Sequence, residues 1–205
     1  MKFRVAAFAV LTATATGCYA AQPGDFYIGI NAGQTRLSNA CQSVSQDVQS
    51  LGYTMSSFNC TNTARAIGGL IGYQFDSHLG AELSYMDFGK PHANATINGV
   101  PVSAYAYPTA YEFALVWTQP VAQHFSVLGR LGLGITTLKD SASALGLTSS
   151  ASAQSRTGVP GIGFQYDIGK IAARLMFDYY GKVGDASTTG TTNLSSLTMG
   201  LTYSF

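Results

Sequence analysis

The stretch that most restricts the fold is residues 194–205, where Leu197, Met199, Leu201, Tyr203 and Phe205 are large and apolar. Between them Ser196, Thr198, Gly200, Thr202 and Ser204 are small or hydroxylic. A repeat of two marks a β-strand whose faces meet different surroundings. In a water-soluble sandwich a final aromatic would have to be buried beside its own carboxylate. With nothing following Phe205, the pattern instead suits apolar solvent outside and a small polar space inside. In a bilayer only a closed barrel offers that arrangement, because an open sheet leaves unpaired backbone groups in hydrocarbon.

The same alternation recurs over residues 26–37, 63–75, 79–88, 105–118, 125–138, 157–167 and 171–181, which with the last stretch makes eight. Ile28, Ile30, Ile67, Ile71, Leu83, Phe113, Leu133, Phe164 and Phe177 carry the apolar parity, and Gly29, Asn31, Gly68, Ser84, Gly132 and Gln165 the other. Connections alternate between short ones near His78, Gln123 and Gly169 and long ones near Ser50, Ala95, Ser149 and Thr189. The prediction is an all-β, closed, eight-stranded antiparallel up-and-down transmembrane barrel with short periplasmic turns and long extracellular loops. Tyr73, Phe75, Trp117, Phe125, Phe164, Tyr166, Tyr203 and Phe205 fall at the short-turn ends and Tyr85, Tyr107 and Tyr179 near the loop ends, as two interfacial girdles would. Three of the long connections, at 38–62, 89–104 and 139–153, read as loops rich in Ser, Asn, Gln, Gly or Pro. In the first, Val44, Val48 and Leu51 have the spacing of a short helix.

Lys2 and Arg4, an apolar run from Val5 to about Leu11, and small residues up to Ala21 have the order of a secretory signal peptide. Cleavage is expected after Ala20 or Ala21, leaving residues 21–205 as the barrel domain. A lipoprotein site at Cys18 is the alternative, against which stands Ala15 where a Leu is expected. Cleavage removes Cys18 and leaves Cys41 and Cys60 in an oxidising compartment, where a disulfide between them is expected.

The segment LTMGLTYSF resembles the carboxy-terminal insertion signal of bacterial outer-membrane barrels, matching it at Gly200, Leu201, Tyr203 and Phe205. From signal peptide to final Phe the chain is similar to the eight-stranded barrels of the OmpA transmembrane domain and OmpX. The resemblance implies the Gram-negative outer membrane, contact with its lipid, and insertion by the barrel-assembly machinery. No peptidoglycan-binding domain follows the barrel, so a cell-wall tether is not implied.

With 10% charged residues and a formal net charge of +1, the composition argues against nucleic-acid binding. Charge on the inward parity is the one constellation for which chemistry needs weighing. Glu82, Glu112, Arg130 and Arg174 stand a few residues from short turns on four strands, with Asp178 one step further toward the loops. A turn centred near Val121 would set Glu112 directly across from Arg130, and Asp178 is expected to join Arg130 or Arg174. In an interior of eight strands such charges must pair, and a static salt-bridge core fills the space; a gated ion path is the alternative. His78, His92 and His124 are scattered over turns and a loop, so no dyad is expected. Neither a metal site nor a cofactor is expected. The reading is a monomeric barrel with a structural or surface-interaction role carried by loops that meet host or neighbouring cells. A narrow channel is the alternative, and a lipid-modifying enzyme comes third.

Overall fold

The computed structural model describes residues 21–38, 40–42, 45, 52, 55–145, 147–185 and 189–205. Residues 1–20, expected to be the signal peptide, and Val44, Val48 and Leu51, expected to be helical, lie outside that set. The strands are β1 (Phe26–Ser38), β2 (Met55–Thr61), β3 (Thr63–Gln74), β4 (Leu79–Asp87), β5 (His92–Ile97), β6 (Val100–Ala122), β7 (Phe125–Ala144), β8 (Leu147–Ile168), β9 (Ile171–Asp185) and β10 (Gly190–Ser204).

Eight of them close a ring in the order β1-β3-β4-β6-β7-β8-β9-β10, with β1 pairing back onto β10 from Tyr27↔Ser204 to Ser38↔Asn193. Closure satisfies every edge within the bilayer, which an open sheet of the same strands would not. The outer surface is the apolar parity: Leu133 is 74% exposed, Ile30 69% and Ile67 65%. An exposed apolar band on this scale fits lipid as the surrounding solvent. At its short-turn edge the rings of Phe26 and Tyr73 lie 4.8 Å apart, those of Phe125 and Phe164 5.7 Å, and those of Tyr203 and Phe205 5.4 Å. Toward the other edge Tyr85 and Tyr111 pair at 4.9 Å. The turn at Asp76 is fixed by its own side chain, whose Oδ1 accepts from the backbone N–H of His78 and Leu79 at 2.7 and 2.9 Å. Those two bonds hold the Asp76 carboxyl below the usual range.

Two of the long outward connections are themselves largely strand and the third contains one, which corrects the three loop assignments. Residues 89–104 hold β5 and the start of β6, a hairpin turned at Asn98 and Gly99 with φ of 50° and 83°. Asn-Gly is the pair best suited to two successive positive φ values in a tight hairpin. In the 139–153 stretch β7 runs on to Ala144 and β8 starts at Leu147, paired all the way up. Within 38–62, β2 adds to the free side of β5. The apolar alternation is absent from these segments because above the lipid both faces of the sheet can meet water, while the ladder of backbone bonds continues unchanged.

Candidate functional site

Arg130 on β7 is the hub of the interior. Its guanidinium lies 3.2 Å from Glu112 Oε2, 3.5 Å from Asp178 Oδ1 and 3.7 Å from Glu82 Oε2. Nη2 also donates to Ser84 Oγ at 3.0 Å. Arg174 on β9 pairs with Glu82 Oε1 at 2.5 Å, donates its Nε–H to Gln165 Oε1 at 2.6 Å, and stands 5.0 Å from the centre of the Tyr27 ring. Gln165 donates onward to Asp167 Oδ1 at 2.6 Å. The hydroxyls of Tyr27 and Tyr180 donate to Glu82 and Glu112 at 2.9 and 3.3 Å. Tyr27, Ser84, Gln165, Asp167 and Tyr180 were not picked out from the sequence as members of the network. Each lies on the inward parity of its strand, which was the available signal.

The expected register of Glu112 and Arg130 is wrong. Glu112 pairs with Gly134 and Arg130 with Val116, because the chain reverses at Gln123–His124 and Ala122 pairs with Phe125. The two side chains meet diagonally. A Cβ on Gly132 would fall 2.1 Å from Glu112 Oε1, and one on Gly161 2.2 Å from Asp178 Oδ1. Both carboxylates therefore lie over glycine backbone, in space that any side chain would close. Of the two arginines, it is Arg130 that Asp178 joins.

A dry interior makes such pairing obligatory, since an isolated buried charge costs far more than its pair. The space is nearly filled: a cavity of about 20 Å³ remains beside Glu82, Arg130 and Arg174, room for about one water molecule. Above the charges, toward the outer end, a second layer is apolar. Leu37, Met86, Phe88, Val159, Tyr180, Val183 and Leu194 form one buried cluster across the barrel, with Phe88 and Tyr180 edge to face at 4.8 Å. The inward parity is thus hydrophobic above the charges, and a smaller apolar cluster of Val116, Leu128 and Met176 packs beside them.

The histidines stay apart. His124 and His92 each face a tyrosine ring, and His78 stacks on Trp117. His78 Nδ1 does lie 2.8 Å from Ser77 Oγ, but the two are sequence neighbours on a periplasmic turn. The adjacent Asp76 is engaged by backbone rather than by the imidazole, so no orienting group completes a triad.

Cys41, on the short helical piece Ala40–Gln42, and Cys60 on β2 are joined by a disulfide with Cα atoms 5.7 Å apart. The bond ties the β2–β5 extension to the top of β1, where Leu37 N–H also donates to Asn62 O at 2.8 Å. Closing a loop of this size restrains it by about 3 kcal/mol in the chain-entropy model. Reduction is therefore expected to speed protease cleavage between Cys41 and Cys60 while the barrel strands stay resistant. Identical digestion with and without reductant would remove that role.

Comparison with known proteins agrees with this architecture. The family described as the OmpA-like transmembrane domain matches residues 21–205. Outer membrane protein A of Serratia marcescens is 29% identical over 143 residues, 67% of this chain, and the match spans 38% of that relative's length. Among solved structures, Ail, the attachment invasion locus protein of Yersinia pestis in complex with the heparin analogue sucrose octasulfate, superposes with a TM-score of 0.55 at 16% identity, covering 90% of this chain and 100% of the other. OprG of Pseudomonas aeruginosa gives 0.51 at 13% identity, covering 90% and 97%. Those two likenesses concern the fold.

Proposed function

The chain belongs to the family of OmpA-like transmembrane domains, and from that premise we propose that its function is carried by the outward hairpins, as a surface that meets host or neighbouring cells. Its place is the Gram-negative outer membrane. The observation that supports this reading is the contrast between a closed interior and a tall outer wall. Among the described residues, charge pairs and the apolar layer above them occupy the interior around a cavity of about 20 Å³, whereas β2, β5 and the upper parts of β6, β7 and β8 extend beyond the apolar band. Strands paired throughout present a preorganised surface, which lowers the ordering cost of binding a partner. Attachment is part of the name of Ail; for this chain it is carried as a proposal.

Residues 1–20 act in this reading as the cleaved export signal, and Gly200, Leu201, Tyr203 and Phe205 as the segment that the assembly machinery engages. The barrel works as a monomer without a catalytic role.

The test replaces residues 139–152 by an Asn-Gly turn, which shortens the β7–β8 hairpin without touching Arg130 or the charges around it. Cells displaying the trimmed protein are expected to lose most of their adherence to host-cell layers or to each other, with the barrel still heat-modifiable on gels. The intact protein is expected to leave planar bilayers at baseline conductance. Undiminished adherence after trimming, or discrete conductance steps from the intact protein, would overturn the reading.

A further inference from the structure

Inside the outer mouth, above the apolar layer, is a cavity of about 470 Å³, within the size range of small-molecule sites. Its floor is Leu37 and Leu138, both nearly fully buried. Ala106 and Ala142, on the same face of the sheet as Asp140, contribute to its wall. Among the described residues, one carboxylate lines it, that of Asp140 on β7, and no lysine or arginine does. Among the described residues Asp140 has neither a hydrogen-bond nor an ion-pair partner, and it stands outside the membrane-spanning part of its strand.

A carboxylate held in partial burial without a donor is an unusual arrangement, since charged groups withdrawn from water ordinarily find a partner. Here burial alone pushes the Asp140 carboxyl up to about 6. The partner that would complete the site must bring positive charge and fill a mostly apolar space. An inorganic divalent ion does not fit, because no group of three acidic, His or Cys side chains gathers among the described residues. We propose that the outer mouth binds a small organic cation, an ammonium or guanidinium on an apolar body, with its charge on Asp140 and its body on Leu37, Leu138 and Ala106. The charge gains a counter-ion of reduced hydration, and the apolar body gains burial in the cavity. This site is independent of the surface role above, since it uses the inner side of the mouth and the surface role uses the outer wall.

The test uses benzylamine, with benzyl alcohol and benzoate as its neutral and anionic counterparts. Refolded, disulfide-intact protein is studied in maltoside micelles, whose headgroups bring no competing charge, above neutral pH. Saturable binding of benzylamine is expected by saturation-transfer NMR and calorimetry, with benzyl alcohol weaker by about tenfold, the scale of one charge-assisted contact, and benzoate not binding. Asp140→Asn should weaken benzylamine by a similar factor and leave benzyl alcohol unchanged. Ala142→Phe, which fills the cavity and keeps the carboxylate, should remove both ligands. Equal affinity for the three probes, no saturable benzylamine binding, or wild-type affinity in Ala142→Phe protein would each overturn the proposal; the last outcome decides it even if Asp140→Asn protein fails to refold.

Discussion

Phe205→Asp is expected to abolish the outer-membrane, heat-modifiable form of the protein in cells, with processed polypeptide accumulating in the periplasm and being degraded. The folded barrel alone does not explain an effect of that size. Phe205 contributes one backbone bond, its N–H donating to Phe26 O at 3.0 Å, and one edge-to-face contact with Tyr203. Its side chain is otherwise turned outward, 61% exposed. Aspartate keeps that backbone N–H, so the loss is an aromatic contact and at most a weakened backbone bond, together about 2 kcal/mol at most, while the β1–β10 ladder holds with twelve residue pairs still in register. Two measurements therefore separate assembly from stability. Refolded from urea into lipid vesicles, Phe205→Asp protein should unfold within about 2 kcal/mol of the wild type; in cells it should be nearly absent from outer-membrane fractions. Wild-type levels of heat-modifiable barrel in those fractions would count against the assembly role. A refolded variant too unstable to form a barrel would locate the effect in the fold instead.

Arg130→Ala is expected to destabilise the barrel by about 3–5 kcal/mol, the usual cost of stranding a buried charge. Three carboxylates converge on this guanidinium, and they are not equally dependent on it. Glu82 keeps Arg174 and the Tyr27 hydroxyl. Glu112 is left with only the Tyr180 hydroxyl, and Asp178 loses its one cation. Rescue should follow that order. Arg130→Met with Glu112→Gln recovers part of the loss, and adding Asp178→Asn recovers more, because each change removes a charge that no longer has a partner. Glu82→Gln in the same background should restore nothing and, by freeing Arg174, should cost further. Urea titration in vesicles reads the differences directly. Unchanged stability of the Arg130→Ala barrel, together with raised conductance in planar bilayers, would favour a gated path over a static core.

Much of the architecture is visible in the residues because a bilayer imposes a rigid code. Outward positions must be apolar and backbone groups must be paired, so Ile28, Ile71, Leu133 and Phe177 face lipid and Glu82, Arg130 and Asp178 face inward. Parity assigns these side chains to a face, and the short turns at His78, Gln123 and Gly169 fix the direction of each strand. Where the code stops applying, the alternation stops with it. The outer halves of β7 and β8, with Ser, Ala and Thr on both faces, carry no contrast between inside and outside, so the hairpins there look like loops. The Asn98-Gly99 pair is the exception, a hairpin-turn signal inside a stretch whose Gly, Asn and Pro residues read as a loop.

Contacts inside the barrel depend on quantities that parity does not carry. Whether Glu112 lies across from Arg130 or four residues away depends on where the chain reverses, and a shift of the turn by two residues moves the register of β6 against β7 by four. The side chains still meet, because Gly132 and Gly161 leave room for carboxylates to lean over the backbone. The apolar layer of Leu37, Met86, Val159 and Val183 likewise arises from four strands reaching the same height, which is a property of tilt and closure. Sequence alone thus settles which face each residue takes, since that is decided one strand at a time by the solvent on either side. Height within the lumen, and with it every partner of Arg130, is settled only when all eight strands close together, since stagger around the ring is shared among them and written in none.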